Sequence, residues 1–191
     1  EHVPLSTEPH SLRLGAVIRV VPIKDLKTMI YAFALVRAKR PDATLVMIGP
    51  TNEDPDYFEE CKDLIAGLGV EGITFVGRVD VAAWYGKLDI LLLSSISEGQ
   101  PFVVLEAMAS KRPVVSTDVG SCRELIEGIG DGVGQAGEIV PVMSPNAMAR
   151  TILRLAQQLP LLRQMGENGW RRVDRFYREE DFLKAYRDLY G

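Results

Sequence analysis

The chain has 191 residues, 47% of them apolar and 25% charged, with 22 Lys and Arg against 26 Asp and Glu for a net charge of −4. That length and balance suit one folded domain with a sizeable core and exclude a disordered chain, and the mild acidity speaks against general nucleic-acid binding. Two Cys (Cys61, Cys122) cannot build a disulfide framework or a zinc site, and two His (His2, His10), both near the start, argue against a histidine mechanism in the folded part.

Short apolar runs alternate with helical patterns. The spacing predicts strands at Ala16–Val21, Thr44–Ile48, Ile73–Val76, Ile90–Leu93, Val114–Ser116 and Glu138–Val140. Most are nearly continuous apolar runs, as expected of strands buried on both faces of a parallel sheet. Between them, Leu26, Met29, Ile30 and Phe33 share one helical face, as do Tyr57, Cys61, Leu64, Ile65 and Leu68. Pro41, Gly49-Pro50, Gly77 and Pro113 mark turns. The expected fold is therefore α/β, a Rossmann-like doubly wound parallel sheet of about six strands. In such sheets ligands bind outside the carboxyl ends of the strands.

From about Asn146 the pattern is helical only. Met148, Ile152, Leu155 and Leu159 share a face, and Pro160 suits the first turn of a further helix. Aromatics then crowd the end: Trp170, Phe176, Tyr177, Phe182, Tyr186 and Tyr190. They either pack back on the same domain or cover a second one. No run of 18 apolar residues and no basic-then-apolar leader occurs, so no transmembrane segment is expected and the cytoplasm is the default compartment. The chain begins at Glu1, not Met, and is expected to be part of a longer protein.

The loop after the first strand carries Arg19, Pro22, Lys24 and Asp25, with Asp25 placed to cap the following helix. Two cations beside a helix N-terminus make an anion site fit for a diphosphate. The plainer alternative is a pair of solvated surface charges. The loop has neither G-x-G-x-x-G nor G-x-x-x-x-G-K-[ST], which disfavours a dinucleotide fold of the NAD or FAD kind and a P-loop enzyme.

The stretch from Ser95 to Ala109 is the most informative. A loop with Glu98 and Gly99 leads into a helix near Pro101 or Phe102, and Glu106 lies about two turns in. Carboxylates accept vicinal sugar hydroxyls well, because each oxygen can take its own donor. Glu98 could equally cap the helix and Glu106 could be a helix-surface charge. A glycoside hydrolase is disfavoured, since its two carboxylates must face one bond.

From Leu14 to Gly191 the chain resembles the nucleotide-sugar-binding, C-terminal half of retaining family-four glycosyltransferases, which have the GT-B fold. The resemblance rests on Arg19 with Lys24, on an E-x7-E pair formed by Glu98 and Glu106, and on Pro113-Val114-Val115-Ser116-Thr117 followed by Gly120 and Glu124-Leu125-Ile126. The wording of Arg19–Asp25 and of Gly137–Pro141 is most similar to the Pel-type exopolysaccharide glycosyltransferases. The resemblance implies a domain over residues 14–175, a linker over 1–13 and a helical tail over 176–191 that crosses to an acceptor-binding N-terminal domain.

It also implies roles. Arg19 and Lys24 would clamp the diphosphate and, with Glu98, form the catalytic set. Glu98 would hold donor-sugar hydroxyls and Glu106 the ribose. Backbone N–H groups from Gly99 through Gln100 and Pro101 to Phe102 would contact sugar and phosphate. Gly77 and Arg78 would hold the base, and Val104 and Leu105 would line the ribose–phosphate pocket. The expected donor is a UDP-sugar, UDP-glucose first, transferred with retention to a polysaccharide or other acceptor, within a polysaccharide synthesis complex. No metal and no cofactor are expected. The chain alone is expected to bind nucleotide and to transfer little or no sugar.

Two departures stand out. Lys111 replaces a glycine usual in the family, so a different helix end is expected there. Five glycines between Gly128 and Gly137 suggest a mobile loop. Competing readings are a non-catalytic nucleotide-sugar module that regulates polysaccharide assembly and a nucleotide-sugar epimerase. A response-regulator-like domain needs clustered acids, and Asp80, Asp89 and Asp118 make no convincing set.

Overall fold

The computed structural model describes residues 11–178. Six parallel strands, β1 (Arg13–Val17), β2 (Thr44–Ile48), β3 (Ile73–Gly77), β4 (Ile90–Leu93), β5 (Val114–Thr117) and β6 (Gly137–Val140), form one sheet in the order β3-β2-β1-β4-β5-β6. The connecting helices are α1 (Leu26–Lys39), α2 (Pro55–Leu68), α3 (Ala82–Tyr85), α4 (Phe102–Ala109), α5 (Cys122–Glu127), α6 (Pro145–Ala156) and α7 (Leu159–Phe176). This is the doubly wound sheet expected, with α3 and α5 as short additions that no long apolar period announces.

Neighbouring residues of the central strands face opposite layers. Ile90 and Leu92 join one core with α1, α2 and α6, while Leu91 and Leu93 join a second with α4 and α5. Val115 and Val114 divide in the same way. Burial on both faces is why these strands read as unbroken apolar runs. Helix α7 begins on the first layer with Leu162 and Met165 and ends against the second with Val173.

The first strand lies earlier than the apolar run predicts. It ends at Val17, and Arg13, assigned above to the linker, opens it. Ile18 and Val20 are buried but belong to a descending loop that bonds to the β2 end, Ile18 N–H to the Ile48 carbonyl at 2.7 Å and Val20 N–H to the Pro50 carbonyl at 3.1 Å. A 3-10 turn at Pro22–Lys24 follows. An apolar run marks burial, and burial alone does not separate a strand from a packed loop.

Strands β1 and β4 stay paired for only two residue pairs, Leu14 with Ile90 and Gly15 with Leu91. Beyond them, toward the carboxyl ends, the two strands part. The connections also reverse direction here, since β2 and β3 extend the sheet one way and β5 and β6 the other. A crevice therefore opens between the loops that follow β1 and β4.

Both departures noted in the sequence are resolved by contacts with α7. Lys111 adopts the left-handed conformation itself (φ 57°), so the end of α4 has the glycine-like geometry after all. Its ammonium group pairs with Glu167 at 2.8 Å and lies 4.6 Å from the centre of the Trp170 ring. These contacts offset a backbone cost of roughly 1 kcal/mol for a non-glycine residue there. The glycine-rich loop is also tied down, contrary to a free excursion. Buried Arg172 donates to Asp131 at 2.5 Å and to the carbonyls of Gly134, Leu125 and Ile126, and Asn168 donates to the Gln135 carbonyl. The expected tail boundary falls inside α7, since the helix runs to Phe176. Phe182, Tyr186 and Tyr190 lie outside the described residues.

Arg172→Met leaves Asp131 and three carbonyls without their buried donor and is expected to destabilise by about 3–5 kcal/mol in urea titration at neutral pH. The Arg172 hydrogen bond holds the Asp131 carboxyl below its ordinary range. A depressed folded value stabilises above the unfolded carboxylate range and is lost as pH falls through the folded one. The variant should therefore lose less stability than the parent on acidification below about pH 4, its missing pair having nothing left to lose.

Candidate nucleotide-sugar site

A cleft of about 580 Å³ lies at the carboxyl ends of β1, β2 and β4. Arg19, Lys24, Arg78, Glu98, Gln100, Pro101 and Phe102, all singled out in the sequence, line it. They come from three separate connections, after β1, β3 and β4, with Phe102 opening α4.

The loops after β1 and β4 are stitched together. Ser94 Oγ donates to the Lys24 carbonyl oxygen at 2.8 Å, and the Ile96 N–H donates to the Ile23 carbonyl at 2.9 Å. Across this seam Lys24 Nζ pairs with Glu98 Oε1, and Ser95 Oγ donates to the same oxygen at 2.6 Å. Both side chains of the ion pair are largely buried. Behind them Thr117 Oγ1 donates to the Ser95 carbonyl at 2.7 Å, and the Ser121 N–H donates to the Gly99 carbonyl at 3.0 Å. Gly120, at φ 51°, packs so tightly on Glu98 and Gly99 that a side chain there would overlap their carbonyl oxygens. The Glu98 loop is thus held from the loop after β1, from β5 and from the start of α5.

The open helix end is not the one expected. Asp25 does cap α1, accepting the Thr28 N–H at 3.3 Å, so its own carboxylate already occupies that dipole end. Helix α4 has Pro101 at its N-cap with no side-chain cap, and Pro101, Phe102 and Val103 all line the cleft. Its first N–H groups and dipole therefore favour an anion there. Pro101 has no N–H to give, and the Val104 N–H is spent on the Pro101 carbonyl at 3.0 Å. Phe102 and Val103 are the donors this helix end offers.

Arg19 reaches across the mouth to Glu53 at 3.0 Å, and Arg78 lies 3.9 Å from the same residue. Both arginines are more than half exposed, so these are screened surface pairs of small energy and both cations are available to a ligand.

Five expected site residues are not among those that line the cleft. Val104 is wholly buried in the second core and cannot line a ribose pocket. Leu105 is half-buried and packs against the same core. Gly77, at φ 68°, flanks the cleft with its carbonyl taken by the Gly49 N–H at 2.9 Å. Glu106 is one turn beyond the cleft-lining Phe102 and Val103 and receives the buried Tyr85 hydroxyl at 2.6 Å. Gly99 positions the loop through its carbonyl.

Gly49, Pro50, Val79, Val81 and Val103 line the cleft but were not selected from the sequence. Gly49-Pro50 directly follows a strand, which was the available signal. Among the described residues no group of three or more His, Cys, Asp or Glu is arranged to hold a metal ion, and no helix is long and apolar enough to cross a membrane. Asp89 precedes β4 at the opposite end of the sheet and pairs with Arg13, while Asp118 pairs with Arg123, so the acids of a phospho-acceptor site do not assemble.

Comparison with known proteins now decides the family. Residues 9–158 match the family described as Glycosyl transferases group 1. The chain belongs to it. It is 29% identical to the lipopolysaccharide core biosynthesis mannosyltransferase LpsB of Rhizobium meliloti, covering 97% of this chain and 53% of that protein. Among solved structures it is similar to the C-terminal domain of a group 1 glycosyltransferase, LpcC, from Francisella tularensis, with TM-score 0.77, 29% identity, and 90% and 88% of the two chains covered. It is also similar to Anabaena Alr3699/HepE in complex with UDP, with TM-score 0.77, 25% identity, and 87% and 45% covered. The chain spans about half the length of the curated relatives it matches. The fold is that of the GT-B glycosyltransferases, and the domain is their C-terminal one.

Gly49→Ala is a direct test of the cleft's backbone. At φ 142° a methyl group would overlap the Ile18 carbonyl oxygen, between the loops after β1 and β2. Strain of this kind costs roughly 1–3 kcal/mol, and the thermal midpoint should fall accordingly, with nucleotide affinity falling alongside it.

Proposed function

We propose that this chain is the donor-binding domain of a retaining glycosyltransferase that takes glucose from UDP-glucose and passes it to a polysaccharide acceptor. The observation that carries the reading is the convergence on one cleft of three cations, a buried carboxylate and an uncapped helix N-terminus. That set matches a diphosphate joined to a sugar. Similarity to a solved relative in complex with UDP supports uridine as the base, and the wording of Arg19–Asp25 and Gly137–Pro141 supports the Pel-type exopolysaccharide branch and a cytoplasmic setting.

Arg19, Lys24 and the Phe102 and Val103 N–H groups hold the diphosphate. As the bond from the anomeric carbon to the phosphate oxygen breaks, negative charge grows on that oxygen, and groups already in place stabilise it most. The acceptor hydroxyl forms the new bond on the face the diphosphate leaves, and its proton passes to the departing diphosphate. Glu98 exchanges part of its Lys24 and Ser95 contacts for donor-sugar hydroxyls, and Glu106 accepts the ribose. Arg78, at the cleft lining, meets the base. The acceptor site belongs to the N-terminal domain of the GT-B pair, so this domain alone binds the donor without efficient transfer.

Calorimetry with UDP, GDP and ADP tests the reading. UDP is expected to bind most tightly. Arg19→Ala and Lys24→Ala should each weaken it roughly ten- to a hundred-fold, the value of a charge-assisted hydrogen bond. With the acceptor-binding domain present, both variants should also lose sugar transfer. Unchanged affinity in both would sink the diphosphate assignment, and tight binding without any transfer would favour a regulatory module.

A further inference from the structure

Tyr85 is an unusual member of the second core. Its ring is buried, yet its hydroxyl leaves the core to donate to Oε2 of Glu106 at 2.6 Å, an exposed residue on a different helix. The two residues hold matching positions. Val81, at the N-cap of α3, lines the cleft and Tyr85 follows one turn later. Phe102 and Val103 line it at the start of α4 and Glu106 follows one turn later. Two short helical rows thus run away from the cleft wall and meet in one hydrogen bond.

We propose that Tyr85 is a positioning residue for the donor ribose, holding Glu106 Oε2 so that Oε1 is presented to the vicinal hydroxyls. The inference rests on the donor-site reading and adds a residue to it. An exposed glutamate otherwise samples many rotamers and must be ordered when a ligand arrives. The buried ring has little freedom of its own, so a bond to it fixes the carboxylate in advance. Burial, and then the adjoining carboxylate, push the Tyr85 hydroxyl well above its usual pKa, so it remains a donor wherever the protein is folded. An ionised carboxylate has no hydrogen to give, and with one oxygen occupied by a donor the other accepts from the ligand.

Tyr85→Phe removes one oxygen and keeps the ring, and a thermal melt verifies that the variant folds. The 191-residue chain would be titrated with UDP, 2′-deoxy-UDP and pyrophosphate. UDP affinity should fall about five- to ten-fold, the cost of ordering one free side chain on binding. Pyrophosphate affinity should stay unchanged, and the preference for UDP over 2′-deoxy-UDP should shrink. In a Glu106→Ala background, Tyr85→Phe should cost nothing further. Equal losses for UDP and pyrophosphate, unchanged UDP affinity, or a full additional loss in the Glu106→Ala background would each overturn the proposal. Wild-type protein that ignores all three ligands would overturn the donor-site reading itself, whereas UDP binding that depends on Glu106 but not on Tyr85 would overturn only this step.

Discussion

The seam between the loops after β1 and β4 is the constraint on which the site depends. Ser94 and Ile96 bond to the backbone of Lys24 and Ile23, and the strands beneath have already parted after two residue pairs. Separation of the strands creates the cleft, and the seam prevents it from opening without limit. With both loops fixed, Lys24 and Glu98 meet although they are 74 residues apart. Each neutralises a partner that would be costly to bury alone.

This arrangement prepares the cleft for a ligand with an anionic end and a hydroxylated end. The cation and the carboxylate are held together, and each can exchange some of that contact for the corresponding part of a nucleotide sugar. Helix α4 contributes a second, immobile source of positive potential, because nothing in its own sequence caps it. Groups fixed before the ligand arrives need little reorganisation as charge develops. The layers behind serve the same end: Thr117, Gly120 and Ser121 hold the Glu98 loop from the β5 side, and the buried Arg172 cluster anchors α7 against the loop before β6.

Much of the fold was legible because burial on both faces leaves continuous apolar runs at each strand, and proline and glycine mark the turns. The main error, the placement of the first strand, has the same origin. Ile18 and Val20 are as apolar as strand residues but are buried in a loop. Most of the cleft was legible too, since Arg19, Lys24, Glu98, Pro101 and Phe102 fall between the end of a strand and the first turn of the helix that follows it. Glu106 stands out as a carboxylate in an apolar segment, but its partner Tyr85 left no trace in the spacing. Val104 was misassigned because a helix of eight residues with a wide apolar surface does not reveal which side faces the core.

The sequence by itself determined the strand–helix alternation, the loops that carry chemistry and the charged groups available in them, because these depend on local composition and period. It also carried the potential for a left-handed turn at Lys111 without showing it, since the compensating Glu167 and Trp170 lie more than fifty residues away. The tertiary structure alone decided which helix end is free to bind an anion, which carboxylate is paired with Lys24 and which is held by Tyr85. Each of those outcomes depends on contacts between segments remote in sequence, and such contacts are set by the order of strands in the sheet and by how far β1 and β4 remain paired.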